Sequence, residues 1–110
     1  MFIKSLIILG LVAQCFCYDW STDGKRFNTM CANVKKAFLA DKLTKSQIKS
    51  RTNTCLGAHL NDYTSEDDIV RYTTEDYNTD NAYKDIFQRN VFLQAEGFHN
   101  FIYCMEGLLR

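Results

Sequence analysis

Apolar residues recur at helical spacing between positions 25 and 40 of the chain. They stand at relative positions i, i+4, i+7 and i+11, and they are Phe27, Cys31, Val34 and Phe38. Basic residues such as Lys25 and Lys36 fall on the other side of a helical projection. The pattern predicts an amphipathic α-helix over residues 25–40 with one face turned to a core.

The segment from Thr44 to Gln47 has the form of a capping box, in which the first and fourth residues each hydrogen-bond the other's backbone N–H. It predicts the start of a second helix, whose apolar positions include Ile48 and Cys55. Only a short connection around Asp41 separates the two helices. We therefore expect them to lie antiparallel to each other.

The C-terminal half predicts further helices. Hydroxyl residues at 64–65 followed by three acidic residues are typical of a helix start, and they predict a short helix through Tyr72. A longer helix is expected from residue 79 to residue 95, with Gly97 as a stop or kink and a terminal helix over 98–109. One face of the longer helix carries Tyr83, Ile86, Phe87, Asn90, Val91 and Ala95. The proline-free chain thus predicts an all-α fold, a single small domain of four to five helices.

Residues 1–13 have the composition of a secretory signal peptide, with Lys4 ahead of a short apolar run and small residues after it. Cleavage after Cys15 predicts a signal peptide over 1–15 and a helical domain over 16–110, and cleavage after Cys17 is the alternative. We expect a secreted, extracellular protein. No later stretch approaches the roughly 18 apolar residues of a membrane span.

Two disulfide bonds are expected to crosslink the domain, because cysteines pair in the oxidising extracellular space. Cleavage after Cys15 leaves an even set of four cysteines. In an antiparallel pair of helices Cys31 and Cys55 come level, which favours a Cys31–Cys55 bond. Cys17 is then left to pair with Cys104. Cleavage after Cys17 would instead leave three cysteines, with one unpaired thiol or an intermolecular bond.

Residues that could carry catalysis are few. The two histidines, His59 and His99, belong to no recognisable catalytic arrangement, so we predict no enzyme activity and no catalytic residue. Cys55 and His59 share a helical face, but two ligands are too few to indicate a zinc site. No metal and no cofactor are expected.

Charge is unevenly distributed along the chain. Residues 16–60 carry a net charge of +5 and residues 61–85 carry −6, although the whole chain has 13 basic and 13 acidic residues. Such a dipolar molecule could steer a charged partner, such as a protease exosite or an anionic glycosaminoglycan; ordinary solvated helix faces are the alternative. The candidate partner-binding residues are Lys35, Lys36, Lys49, Asp67, Asp68, Asp76 and Tyr77. Tyr77 also lies in the acidic context typical of tyrosine sulfation, and nucleic acid is not an expected partner.

Aromatic residues at helical spacing predict the core, and they are Phe27, Phe38, Phe87, Phe92, Phe98, Phe101 and Tyr103. They could instead line a cavity for a small apolar ligand. In that case the chain would be similar to the insect odorant-binding proteins, although it lacks their six-cysteine signature. A carrier of small hydrophobic ligands is therefore the alternative function.

The signal peptide, the four retained cysteines, the proline-free helical pattern and the bipolar charge together resemble a class of small salivary proteins of blood-feeding insects. These are all-helical, two-disulfide proteins of the anophensin/albicin type. The resemblance is one of class and carries over no residue's role. It implies a secreted effector that binds and inhibits an extracellular protein of haemostasis or complement.

Overall fold

Five α-helices make up the regular structure that this computed structural model describes, which covers residues 20–61 and 63–110. The bounds are Trp20–Leu39 for α1, Lys45–Cys55 for α2, Glu66–Thr74 for α3, Ala82–Ile86 for α4 and Ala95–Glu106 for α5. A π-helical turn, Leu56–Leu60, continues α2, and 3₁₀ turns precede α4 at Thr79–Asn81 and follow α5 at Gly107–Leu109. These residues contain no strand, so the predicted all-α single domain is confirmed for them. The expected signal peptide, both candidate cleavage sites and Cys17 lie outside the described residues.

Helix α1 begins at Trp20, earlier than predicted, and buries the predicted apolar face. It ends in a Schellman-type cap at Asp41, whose φ of 60° is left-handed. The Asp41 N–H donates to the Phe38 carbonyl at 3.1 Å, and the Lys42 N–H donates to the Ala37 carbonyl at 2.9 Å. These two bonds satisfy carbonyls that the end of a helix would otherwise leave without a partner.

Helix α2 begins at the predicted capping box. The Gln47 N–H donates to Thr44 Oγ1 at 3.1 Å, and the Thr44 N–H donates to Gln47 Oε1 at 2.8 Å. Because each side chain satisfies the other residue's backbone, two of the orphan donors at this helix end are paired. The prediction is therefore confirmed at the level of individual atoms.

Four phenylalanines form the centre of the core, and all are almost completely buried: Phe27, Phe87, Phe98 and Phe101. Phe27 and Phe87 meet edge to face with ring centroids 5.2 Å apart, and Phe98 lies 5.1 Å from Phe87. Such pairs add about 0.5–1.5 kcal/mol each beyond the area that they bury. Phe38 is half-buried at the edge of this cluster. Phe92 and Tyr103 are exposed to 88% and 58%, so the prediction that they belong to the core was wrong.

The cysteine pairing differs from the prediction. Cys55 on α2 bonds Cys104 on α5, with the two Cα atoms 5.7 Å apart, whereas Cys31 is a buried free thiol on α1. The preferred Cys31–Cys55 and Cys17–Cys104 bonds are therefore corrected, and the described residues contain one disulfide instead of two. The reason lies in the packing: α2 packs against α3 and α5, and α1 packs against α3, α4 and α5, so α1 and α2 do not form the expected close pair.

The predicted helix from residue 79 to residue 95 is also corrected. Helix α4 ends at Ile86, where the N–H groups of Phe87 and Gln88 both donate to the Tyr83 carbonyl. The chain then forms a tight turn before α5 begins at Ala95. Gly97 neither stops nor kinks the chain but lies inside α5. At this position α5 passes so close to the π-helical turn that a Cβ would lie 2.7 Å from the His59 carbonyl oxygen. The close approach therefore favours glycine.

Candidate interaction site

Two adjacent apolar side chains project into solvent between α4 and α5. Val91 is 85% exposed and Phe92 is 88% exposed, more than any other large hydrophobic side chain in the described residues. Single exposed apolar residues are common on protein surfaces, but a contiguous apolar patch marks a surface that another molecule covers. We call residues 90–93 the exposed turn.

Asn90 holds the exposed turn in one shape. Its side-chain Oδ1 accepts the Phe92 N–H at 3.0 Å, and its carbonyl accepts the Leu93 N–H at 3.1 Å. The Asn90 N–H in turn donates to the Phe87 carbonyl at 3.0 Å. An asparagine side chain that bonds its own backbone two residues on is a common way to fix a tight turn.

The chain before the exposed turn and the last residue of the turn both pack into the core. Phe87 is buried among the other phenylalanines, and Leu93 is half-buried and packs against the same cluster. The turn therefore presents Val91 and Phe92 from a fixed base, so little conformational entropy is lost when a partner covers them.

A cleft lies on each side of the exposed turn. The first, which we call the histidine cleft, has a volume of about 260 Å³ and is lined by His59, Leu60, Asn61, Asn90, Phe92, Leu93 and Gln94. The second, the tryptophan cleft, has a volume of about 420 Å³ and is lined by Trp20, Ser21, Tyr83, Phe87, Gln88, Asn90, Val91 and Leu93. The site as a whole is an apolar ridge between two open grooves.

The electrostatic character of both clefts is close to neutral. Among the described residues that line them there is no carboxylate, lysine or arginine, and His59 is exposed at the rim of the first. Burial, together with the nearby Asp23 carboxylate, raises the pKa of Tyr83, so its hydroxyl stays neutral. A surface of this kind favours an apolar contact over recognition of a charged ligand.

The predicted charged candidates lie elsewhere and are mixed with one another. Lys49 on α2 and Asp67 on α3 line the same shallow groove. The Lys35 ammonium donates to the Tyr77 carbonyl at 3.0 Å, across the boundary between the basic and acidic segments. Asp68 pairs with a basic neighbour on its own helix, at 2.6 Å from Arg71. The two segments are therefore distinct in the sequence but adjacent in space, because α3 packs against both α1 and α2.

The remaining candidates are surface residues. Lys36 on α1 and Asp76 after α3 are exposed. Tyr77 is 43% exposed and its ring lies 5.0 Å from that of Tyr72. Exposure on the surface does not test the predicted partner-binding role of these residues, which stays a prediction.

The two histidines lie in different surroundings. His59 lies at the histidine cleft, whereas His99 on α5 places Nδ1 3.4 Å from Oδ1 of Asp23, a buried carboxylate on α1. Cys55, the other candidate metal ligand, is in the disulfide. In the part of the chain that the structure describes, no three histidine, cysteine, aspartate or glutamate side chains come together as a metal site would require.

Sequence reasoning missed the exposed turn because it placed Val91 on a helical face and Phe92 in the core. One signal could have revealed it. Val91, Phe92 and Leu93 are three consecutive apolar residues, and consecutive residues on a helix point about 100° apart. A helix could not have buried all three on one narrow face.

Comparison of the chain with models of protein families, with curated proteins and with solved structures finds no match. The interpretation of the site therefore rests on its own geometry. Within residues 20–61 and 63–110, none of the helices is long and apolar enough to cross a bilayer.

Proposed function

We propose that this chain is an extracellular binding protein that engages another protein through the exposed turn. The observation that carries the proposal is the pair Val91 and Phe92, held nearly fully exposed on a turn anchored in the core. Burial of a phenylalanine or valine side chain contributes about 1.5–3 kcal/mol each. Aromatic side chains at the centre of a patch are frequent hot spots of protein interfaces.

The surroundings of the turn support a protein as the partner. The clefts beside the turn are concave and can accept side chains of a folded surface, and their rims carry amides that can donate and accept hydrogen bonds. An apolar centre with a polar rim is the usual anatomy of such interfaces.

The packing of the core supports a binding protein over the alternative carrier function. A carrier of small apolar ligands needs an enclosed cavity among its aromatic residues. Here the rings of Phe27, Phe87, Phe98 and Phe101 lie against one another, with centroid distances of 5.1 to 6.5 Å. The side chains that would line such a cavity fill it instead.

The partner class that we propose comes from the resemblance to salivary effectors. Proteases of the contact pathway and components of complement are therefore the first partners to test, with inhibition as the expected consequence. The Cys55–Cys104 disulfide supports an extracellular location, because structural disulfides persist in oxidising compartments.

A binding assay with matched variants tests the proposal. The purified chain is immobilised, and contact-pathway proteases and complement components are passed over it in a surface plasmon resonance experiment. We expect Phe92→Ser to weaken binding by roughly 30-fold or more, which corresponds to a hot spot of about 2 kcal/mol. Leu39→Ser removes another exposed apolar side chain, at the opposite end of α1 from Trp20, and should leave binding unchanged.

Two outcomes would contradict the proposal. If Phe92→Ser binds as tightly as the natural chain, the exposed turn is not the binding surface. If the double variant Lys35→Glu/Lys36→Glu loses binding while Phe92→Ser keeps it, the charged residues recognise the partner.

A heparin column run with the same variants tests the glycosaminoglycan alternative in parallel.

A further inference from the structure

Two tyrosines flank helix α3 in exposed, non-helical segments. Tyr63 lies between the π-helical turn and α3, and Tyr77 lies in the segment that follows α3. They are 54% and 43% exposed. We propose that the secreted protein carries sulfate esters on the hydroxyls of Tyr63 and Tyr77. Tyrosine sulfation takes place in the secretory pathway, so this inference rests on the extracellular location in the proposed function.

The sequence around both tyrosines has the acidic character that sulfotransferases of the secretory pathway select. An aspartate immediately precedes each of them, Asp62 before Tyr63 and Asp76 before Tyr77. Within five residues on either side, Tyr63 has four acidic residues and Tyr77 has three, and neither window contains lysine or arginine. Such a segment is attracted to a basic enzyme cleft through charge complementarity.

The other described tyrosines lack exposure or an acidic context. Tyr72 is only 8% exposed, and its hydroxyl donates to the Asp85 carboxylate. Tyr83 is half-buried and packs against the core. Tyr103 is exposed, but it lies within α5 and has the Arg110 guanidinium 4.0 Å from its ring centroid. Among the tyrosines that the structure describes, exposure and an acidic context therefore coincide only at the two that flank α3.

Both rings rest against the protein surface while part of each side chain faces solvent. The hydroxyl of Tyr63 lies beside Gly57, where the absence of a Cβ leaves room for it. The ring of Tyr77 lies 5.0 Å from that of Tyr72, and the Arg71 guanidinium is close enough to Tyr77 to interact with it electrostatically. A sulfate on Tyr77 therefore has a cation nearby, which offsets part of the repulsion from its acidic neighbours.

The proposed step transfers a sulfuryl group and involves no oxidation or reduction. The phenolic oxygen attacks the sulfur of a phosphosulfate anhydride, the activated sulfate donor of the secretory pathway, and a new O–S bond forms. The bond between sulfur and the bridging oxygen of the donor breaks, the nucleoside phosphate leaves with that electron pair, and a base of the sulfotransferase takes the phenolic proton. Each ester carries a fixed negative charge, so the two esters add to a segment whose net charge is already −6.

The experiment is intact-mass spectrometry of the full chain, expressed with its own N-terminal segment in eukaryotic secretory cells and recovered from the medium. We expect a mass about 160 Da above that of the unmodified mature chain, since each sulfate adds about 80 Da. Tyr63→Phe and Tyr77→Phe should each lose one sulfate, and the double variant should lose both. Tyr103→Phe, the matched control, removes an exposed tyrosine outside an acidic context and should keep both. Chlorate, which blocks synthesis of the sulfate donor, should abolish the mass increase, whereas phosphatase treatment should not.

An unmodified mass would overturn both sites, and a mass increase that persists in the double variant or disappears with phosphatase would do the same. A single sulfate would overturn the assignment of the tyrosine whose replacement leaves that sulfate in place. A chain that never reaches the medium would overturn the extracellular location and sulfation together. The partner assay with Phe92→Ser is run on chain from chlorate-treated cells, so a failure of sulfation and a failure of the proposed binding surface are distinguishable.

Discussion

The hydroxyl of Tyr72 on α3 donates a hydrogen bond to the carboxylate of Asp85 on α4. This bond and, second, burial raise the pKa of Tyr72 to about 12, because both favour the neutral phenol over the phenolate. A tyrosine in the unfolded chain ionises near pH 10. Since the folded pKa is higher, the contribution to stability is complete below pH 10 and falls as the pH rises from about 10 to about 12.

We therefore predict that Tyr72→Phe lowers the free energy of unfolding at neutral pH by about 1 kcal/mol, through loss of this hydrogen bond. Between about pH 10 and about 12, the stability of the variant should also decline less than that of the natural chain. Urea unfolding at several pH values measures both effects. Asp85→Asn removes the charge of the acceptor and should flatten the same window, and a full decline in Tyr72→Phe would contradict the assignment.

At the scale of elements, the Cys55–Cys104 disulfide connects α2 to α5 across 49 residues of chain. Arg51, one turn before Cys55, donates from Nε to the Cys104 carbonyl at 2.9 Å, so the bond lies within an existing contact between the two helices. The α5 helix is further tied to α1 by the two-pronged ion pair of Arg26 and Glu106. The terminal helix is thus held from two sides.

We predict that the variant Cys55→Ala/Cys104→Ala loses about 4 kcal/mol of stability, the value that the chain-entropy model assigns to closure of a loop of this length. Thermal and urea unfolding of the two proteins measure the difference. Reductant should destabilise the natural chain by a similar amount and should not affect the variant. A natural chain that unfolds identically with and without reductant would show that this bond is absent.

The exposed turn is also a property of how elements meet. The turn links α4 to α5; its shape depends on Asn90, and it is positioned by Phe87 before it and Leu93 at its end, which pack on the core. Phe87 is buried and Leu93 is half-buried against the core, and Val91 and Phe92 between them are exposed. The three consecutive apolar residues indicate that one of them is exposed, and the packing of the elements decides which.

In the molecule as a whole, the covalent framework of the described residues leaves Cys31 without a disulfide partner. Cys31 is completely buried, and burial raises the pKa of its thiol well above the ordinary range, so the thiol stays protonated and unreactive. Cleavage after Cys15 was favoured because it leaves an even number of cysteines that could all pair. Since Cys31 is unpaired, this reason no longer holds. The number of free thiols in the secreted chain instead indicates where it starts.

We predict that Cys31 does not react with a thiol reagent in the folded protein and reacts fully in denaturant without reductant. A secreted chain that begins at Tyr18 should then show one alkylated thiol by intact mass. One that begins at Phe16 retains Cys17 and should show a second thiol or a disulfide-linked dimer. The variant Cys31→Ala removes one thiol from each count, and rapid labelling of Cys31 in the folded chain would contradict its burial.

Features that depend on residues three or four positions apart could be predicted from the sequence. Three features follow from local spacing and hydrogen bonding: the apolar face of α1, the capping box at Thr44 and the all-α class. Local spacing and hydrogen bonding do not depend on how the helices pack against one another. The central phenylalanines were predictable for the same reason.

Which helices contact one another could not be predicted in this way. The Cys55–Cys104 bond and the free thiol of Cys31 follow from the packing of α2 on α3 and α5 instead of along α1. The mixing of the basic and acidic segments follows from the packing of α3 against both α1 and α2. The exposure of Val91 and Phe92 is likewise a feature of the folded chain, in which Phe87 is buried before them and Leu93 is half-buried after them. Each of these features joins residues far apart in the chain, and helical periodicity contains no information about which face of one helix will meet which face of another.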